Sequence, residues 1–236
     1  MNRLPIEKHL ALYTTFHQDG RNRVVHQLAS PFVYFSAILA VQALAPGLVL
    51  PLLAGGVALL ALADWKGALA AAAGFVVEWA GAAWVSQQLG LVPALLVAAV
   101  VQGGAWATLI FFGHGVFEPH VTVEGLPASK GLYFERKYNL GEALGARLNL
   151  FDRLLQFSIA PLAHANELIF GLGLRRDFER AIEVERGVVV ARLGAGLAPF
   201  EGDCREVVGQ AGVAVLVASS PSPSTGVLLS SATEGH

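Results

Sequence analysis

Cysteine is almost missing from this 236-residue chain. Cys204 stands alone, so neither an internal disulfide nor a cysteine cage for a metal can form. Any metal would have to be held by histidines and carboxylates. Charge is scarce too, at 14% of residues against about 25% in an average soluble domain. That shortfall excludes an ordinary soluble globule. The 16 basic and 18 acidic residues nearly cancel, to a formal charge of -2, leaving no basic footprint for a nucleic-acid partner. Phosphate loops, nucleophile elbows, Cys-His pairs and the dense histidine clusters of membrane desaturases are missing as well. The polar start, Met1 to Gly20, has no basic region followed by an apolar core, so no cleaved leader is expected.

What is present is apolar residue, 54% of the chain. Between Gln27 and Phe111 the only charges are Asp64, Lys66 and Glu78. A membrane-crossing helix needs about 20 mostly apolar residues, and the punctuation of this stretch predicts four. The first runs from Leu28 to Leu44 and ends at Ala45-Pro46-Gly47; the second, Leu48 to Ala63, is closed by Asp64-Trp65-Lys66. The third and fourth, Ala68 to Gln88 and Val92 to Phe112, are separated by Gly90 and Pro93. A fifth apolar stretch, Leu154 to Leu174, contains Pro161, His164, Asn166 and Glu167, and ionisable groups at bilayer depth are costly. With four crossings, the basic groups before the spans, after the fourth and after the fifth stretch all fall on one side, the cytoplasmic side by the positive-inside rule. A fifth crossing would translocate the last group.

The expected fold is therefore all-α: an integral membrane protein with about four transmembrane helices plus a buried or interfacial C-terminal helix. Both termini are expected on the cytoplasmic side, of either a bacterial inner membrane or an endoplasmic reticulum. Residues 1–186 make the membrane domain. From Gly187 onward Gly, Ala, Val and then Ser and Pro dominate, which reads as a low-complexity, disordered tail.

Six of the seven histidines precede that tail, and none lies inside the apolar core of spans two to four. His17 and His26 bracket Gln18-Asp19-Gly20-Arg21-Asn22-Arg23, where Asp-Gly signals a turn. On one helix a nine-residue spacing would point the two rings apart; a turn lets His17 end one helix and His26 open the next. Asn22 and His26, four apart, share a face of the second helix. At the end of the fourth span, Gly113-His114-Gly115-Val116-Phe117-Glu118 puts an imidazole and a carboxylate one helical turn apart. Four crossings bring this segment and the His17/His26 turn to the same membrane face. Imidazoles with a carboxylate suit a non-haem Fe(II) site and equally a zinc site. Glu118 is the expected ligand; Glu167 is expected to hold the second ring nitrogen of a ligating histidine. Glu78, Glu167 and His164 also allow a different reading, a transporter or scaffold with a polar path.

These residues resemble one family, the small multi-span membrane proteins related to the yeast 2-hydroxy-palmitic acid dioxygenase of phytosphingosine breakdown. Tyr13, Phe16-His17, Asn22, His26 and Pro31 follow its pattern near the start. Gly113 to Glu118 matches its signature, and so does Ala160-Pro161 with Glu167 ahead of Phe170, Leu172 and Gly173. Order and separation agree over roughly residues 10 to 185. Ala29 stands where the family usually has Gly, Ile110 where a Gln commonly stands, and the stretch from Pro119 to Phe151 is longer than usual. The resemblance implies an Fe(II)-dependent dioxygenase that takes a 2-hydroxy fatty acid and dioxygen and shortens the acid by one carbon. It implies His17, His26, His114 and Glu118 at the metal, Asn22 and Glu167 in catalysis, and membrane lipid around the acyl chain.

Overall fold

The structure is a computed structural model and describes residues 4–17, 19–117 and 149–194. Among the described residues every regular element is helical. A short α1, Ile6–Thr15, leads to α2, Gly20–Leu44, which starts eight residues before the expected span. Asp19 caps it in extended backbone (φ -70°, ψ 126°), its side chain accepting from the Arg21 N–H at 2.7 Å. The Arg21 guanidinium, hydrogen-bonded to the same carboxylate, holds Asp19 below the usual carboxylate range.

Ala45, outside the helical region (φ -151°, ψ 69°), joins α2 directly to α3, Pro46–Leu89. Proline suits that first helical position because its missing N–H has no partner there anyway. At 44 residues α3 would be about 66 Å long if straight. It is not straight. Asp64 leaves the helical region (φ -148°, ψ 94°) with nearly the dihedrals of Ala45, and its carboxylate accepts from the Gly67 N–H, the geometry of a helix N-cap. Val49 and Ala82 would be about 50 Å apart on a straight helix, yet both join one buried cluster with Ile38 and Leu39 of α2. The chain therefore folds back at Asp64.

Gly90 (φ +73°) makes the next reversal, in the left-handed region that glycine enters without penalty. It leads to α4, Leu91–Ala107, which continues as a π-helix, Thr108–Phe117. Three helical stretches, Gly20–Leu44, Pro46–Leu89 and Leu91–Phe117, are long and apolar enough to cross a membrane. Their outer faces expose large apolar residues such as Leu28, Val77 and Val100. A monomer in water does not present so continuous an apolar surface.

The fifth apolar stretch is not one helix. Ser158 divides it into α5, Leu150–Phe157, and α6, Ile159–Gly171, and the latter is about 20 Å long, short of the roughly 30 Å hydrocarbon layer. α6 ends in a Schellman turn: the Gly173 N–H (φ +77°) bonds the Phe170 carbonyl at 2.8 Å and the Leu174 N–H bonds Ile169 at 3.1 Å. The last described helix, α7, is Arg176–Gly194.

At the end of the bundle where α3 turns, α1, α5, α6 and α7 share a second cluster built on Leu10, Leu12, Leu155, Leu162, Ile182 and Val189, with Leu60 and Ala68 of α3. Each fully buried leucine here contributes about 1.5–3 kcal/mol. Polar locks cross the same cap. His9, fully buried, sets Nε2 3.1 Å from Asp152 Oδ1 and Nδ1 2.9 Å from Gln156 Oε1, tying α1 to α5.

The boundary expected at Gly187 falls inside α7, whose Val189 is buried; the rest of that tail, from residue 195, lies outside the described residues. A chain ended after Arg186 loses Val189 from the core and should be destabilised by about 2 kcal/mol. Ending it after Gly194 should leave the unfolding temperature unchanged. Equal thermal unfolding of the two truncations in detergent would show that the last turns of α7 add nothing.

Candidate metal centre

The turn between α1 and α2 delivers two histidines. His17 follows α1, and His26 stands in the second turn of α2. The π-helix delivers the third, His114. Ring centroids lie 4.4 Å apart for His17 and His26, 5.0 Å for His17 and His114, and 4.9 Å for His26 and His114. One nitrogen from each ring lies within 4.8 Å of the other two, and all three residues are buried. Arg21, stacked over the Phe117 ring at 4.9 Å, fastens the start of α2 to the end of the π-helix.

Two of the tautomers follow from the backbone. His17 Nδ1 is 2.7 Å from the Tyr13 carbonyl and His26 Nδ1 is 3.0 Å from the Asn22 carbonyl, each four residues back. A carbonyl accepts only, so Nδ1 must carry the proton and Nε2 the lone pair. That is how ligating imidazoles are held in metal sites.

Glycine makes the third approach possible. A Cβ on Gly113 would lie 2.5 Å from Asn22 Oδ1 and 3.0 Å from His26 Cε1, closer than real side chains come. Any larger residue would force the π-helix away from α2 and carry His114 with it. The π-helix itself has wider turns, with bonds from i to i+5, and such turns concentrate at functional sites. Asn22, expected to take part in catalysis, is fully buried, and its side chain packs where Gly113 passes.

Glu167 sits on α6, where its Oε2 accepts from Gln27 Nε2 at 2.8 Å and lies 3.8 Å from His164 Nδ1. The Nδ1 protons of His17 and His26 go to backbone carbonyls. Glu118 lies outside the described residues.

His164, one turn before Glu167 in the sequence, lies beside the triad. Its ring is 6.4 Å from that of His26 and 5.9 Å from that of Tyr13. Tyr13 and His17, four apart, stack their rings at 4.1 Å and 17°. His9 and Asp152, 143 positions apart, were unmarked in the sequence.

The donor set fits a transition metal. Three imidazoles from separate segments leave coordination positions for further ligands, as both Fe(II) and catalytic zinc sites require. No family model, curated protein or solved structure matches the chain.

Proposed function

We propose that the protein is an integral membrane Fe(II)-dependent dioxygenase that shortens 2-hydroxy fatty acids by one carbon. The observation that carries this reading is the convergence of His17, His26 and His114 inside the fold, two of them with Nε2 left as the lone-pair nitrogen. The resemblance of the same residues to the 2-hydroxy-palmitic acid dioxygenase family supplies the substrate class. Fe(II), when bound, supplies Lewis acidity and activation of dioxygen. The three histidines hold it, and Glu118, four residues beyond His114, is the proposed carboxylate ligand. Asn22 lines the approach and Glu167 steadies the surrounding polar groups.

The substrate chemistry suits this place. An α-hydroxy acid offers a carboxylate and an adjacent hydroxyl, two hard oxygen donors on one end. Its acyl chain suits the apolar bundle of α2, α3 and α4. In this reading α3 crosses twice, turning at Asp64, so the chain crosses the membrane four times. The capped end, which carries Arg21, Arg153, Arg175 and Arg180, faces the cytoplasm with the metal site and both termini.

Metal analysis and oxygen uptake by the purified full-length protein test the reading. About one iron per chain is expected, as for a mononuclear site. Oxygen uptake should depend on 2-hydroxyhexadecanoate and yield the acid one carbon shorter. Protein that binds no metal, or binds it without oxygen uptake, would favour a transporter or scaffold with structural histidines.

A further inference from the structure

His164 lies outside the triad, yet its contacts lead into it. Its Nε2 is 3.1 Å from the Ser30 hydroxyl and 3.4 Å from the Tyr13 hydroxyl. Its Nδ1 is buried and faces Glu167 Oε2 at 3.8 Å, too far for a hydrogen bond. Gln27 holds the same carboxylate oxygen in place. In the tautomer that carries its proton on Nδ1, Nε2 is an acceptor, and the Tyr13 hydroxyl can donate to it.

Tyr13 in turn holds His17 twice. Its carbonyl accepts from His17 Nδ1 at 2.7 Å, and its ring stacks on the imidazole at 4.1 Å and 17°. The first contact fixes the tautomer of His17. The second fixes the plane of its ring, and with it the direction of the Nε2 lone pair. The plane of the tyrosine depends on where its hydroxyl is anchored.

We infer that His164 is a positioning residue of the metal centre, acting through the Tyr13 hydroxyl to set the ring of His17. The order of action is Glu167 on His164, His164 on Tyr13, and Tyr13 on His17. The inference rests on the reading of the triad as a metal site. It predicts that a histidine which never touches the metal governs how tightly the metal is held.

Co(II) is the probe, because its visible absorption reports ligand geometry as well as occupancy. The full chain, purified in detergent, is titrated with Co(II) against a competing chelator. The variants are Tyr13→Phe, His164→Phe, the double variant, and His164→Gln, whose side-chain oxygen can still accept from Tyr13. Each single removal is expected to weaken Co(II) binding by about 10- to 100-fold, the usual cost of losing a residue that orients a ligand, and to shift the visible bands. The double variant should bind no more weakly than either single, since both remove one contact. His164→Gln should recover most of the affinity.

A merely structural His164 would lower the unfolding temperature and leave affinity and spectrum unchanged, which overturns the inference. Additive losses in the double variant overturn it as well. Should His164→Phe fail to fold, Tyr13→Phe decides alone, because it removes one hydroxyl and keeps the stacked ring. Wild-type protein that binds no Co(II), like a His114→Ala control, overturns the metal reading itself. That outcome differs from the failure of this inference, in which wild type binds Co(II) and the variants bind it equally well.

Discussion

Replacing His114 with alanine should abolish metal binding and turnover while the helical bundle stays folded. The geometry makes the loss abrupt. His17 and His26 arrive on neighbouring segments near the start of the chain, and His114 is the imidazole that the far end of α4 brings to them. Without it two imidazoles and the proposed Glu118 carboxylate remain, one ligand short of the proposed set. Loss of an orienting partner costs about 10- to 100-fold; loss of a ligand should exceed that range. The fold depends little on this ring, because Gly113 and the Arg21/Phe117 stack still seat the π-helix on α2. His17→Ala and His26→Ala should behave alike.

Two measurements on one preparation decide it. Iron content should fall to background in each variant while circular dichroism is retained. Unfolding with added metal gives the second readout. A site that is native-only gains about 2.7 kcal/mol when free metal reaches a hundred times its dissociation constant, so wild type should be stabilised and the variants should not. Identical metal-induced stabilisation in wild type and His114→Ala would remove the triad from the mechanism.

Which parts were legible in the sequence follows from the range of the interactions. Local signals read well. Asp19-Gly20 marked the turn that lets His17 and His26 meet, and Ala45-Pro46 and Gly90 marked reversals that the structure makes with single residues. The i, i+4 spacing of Asn22 and His26 correctly put both on one helix, although it is the Asn22 carbonyl that His26 uses. The π-helix was not legible, because its apolar residues are those an α-helix would carry. Nor were the locks of the cap. His9 and Asp152 are 143 positions apart, and neither has a motif around it. The composition change at Gly187 does not mark the end of α7, because alanine and valine also continue a buried helix, as Val189 does. In the fifth apolar stretch, Asn166 and Glu167 looked like obstacles to burial; they are partners, Asn166 to Asp64 and Glu167 to Gln27.

The Asp64 partnership carries the largest expected effect on stability. Asp64 is buried at the point where α3 folds back, and one carboxylate serves three purposes there. It caps the helix that follows through the Gly67 N–H, it accepts from Asn166 Nδ2 at 2.9 Å, and it pairs with Arg175 Nη1 at 2.7 Å. Arg175 also bonds Asn166 Oδ1 at 2.6 Å and stacks over the Phe178 ring at 4.0 Å, and its backbone sits at φ +57°, where a side chain is strained. So many contacts on a strained residue mark it as the clamp between α3 and α6. Arg175→Met keeps much of the apolar stem but strands a buried carboxylate, and such stranding costs about 3–5 kcal/mol. Arg175→Lys keeps the charge but loses the planar group that bonds two partners and stacks on Phe178, and should fall between. Pairing Arg175→Met with Asp64→Asn should recover much of the loss, because asparagine still caps a helix and no charge is left unmatched. Thermal unfolding of the three variants in detergent tests this order. Should the double variant prove less stable than Arg175→Met alone, the Asp64 charge would have to be acting on something other than Arg175.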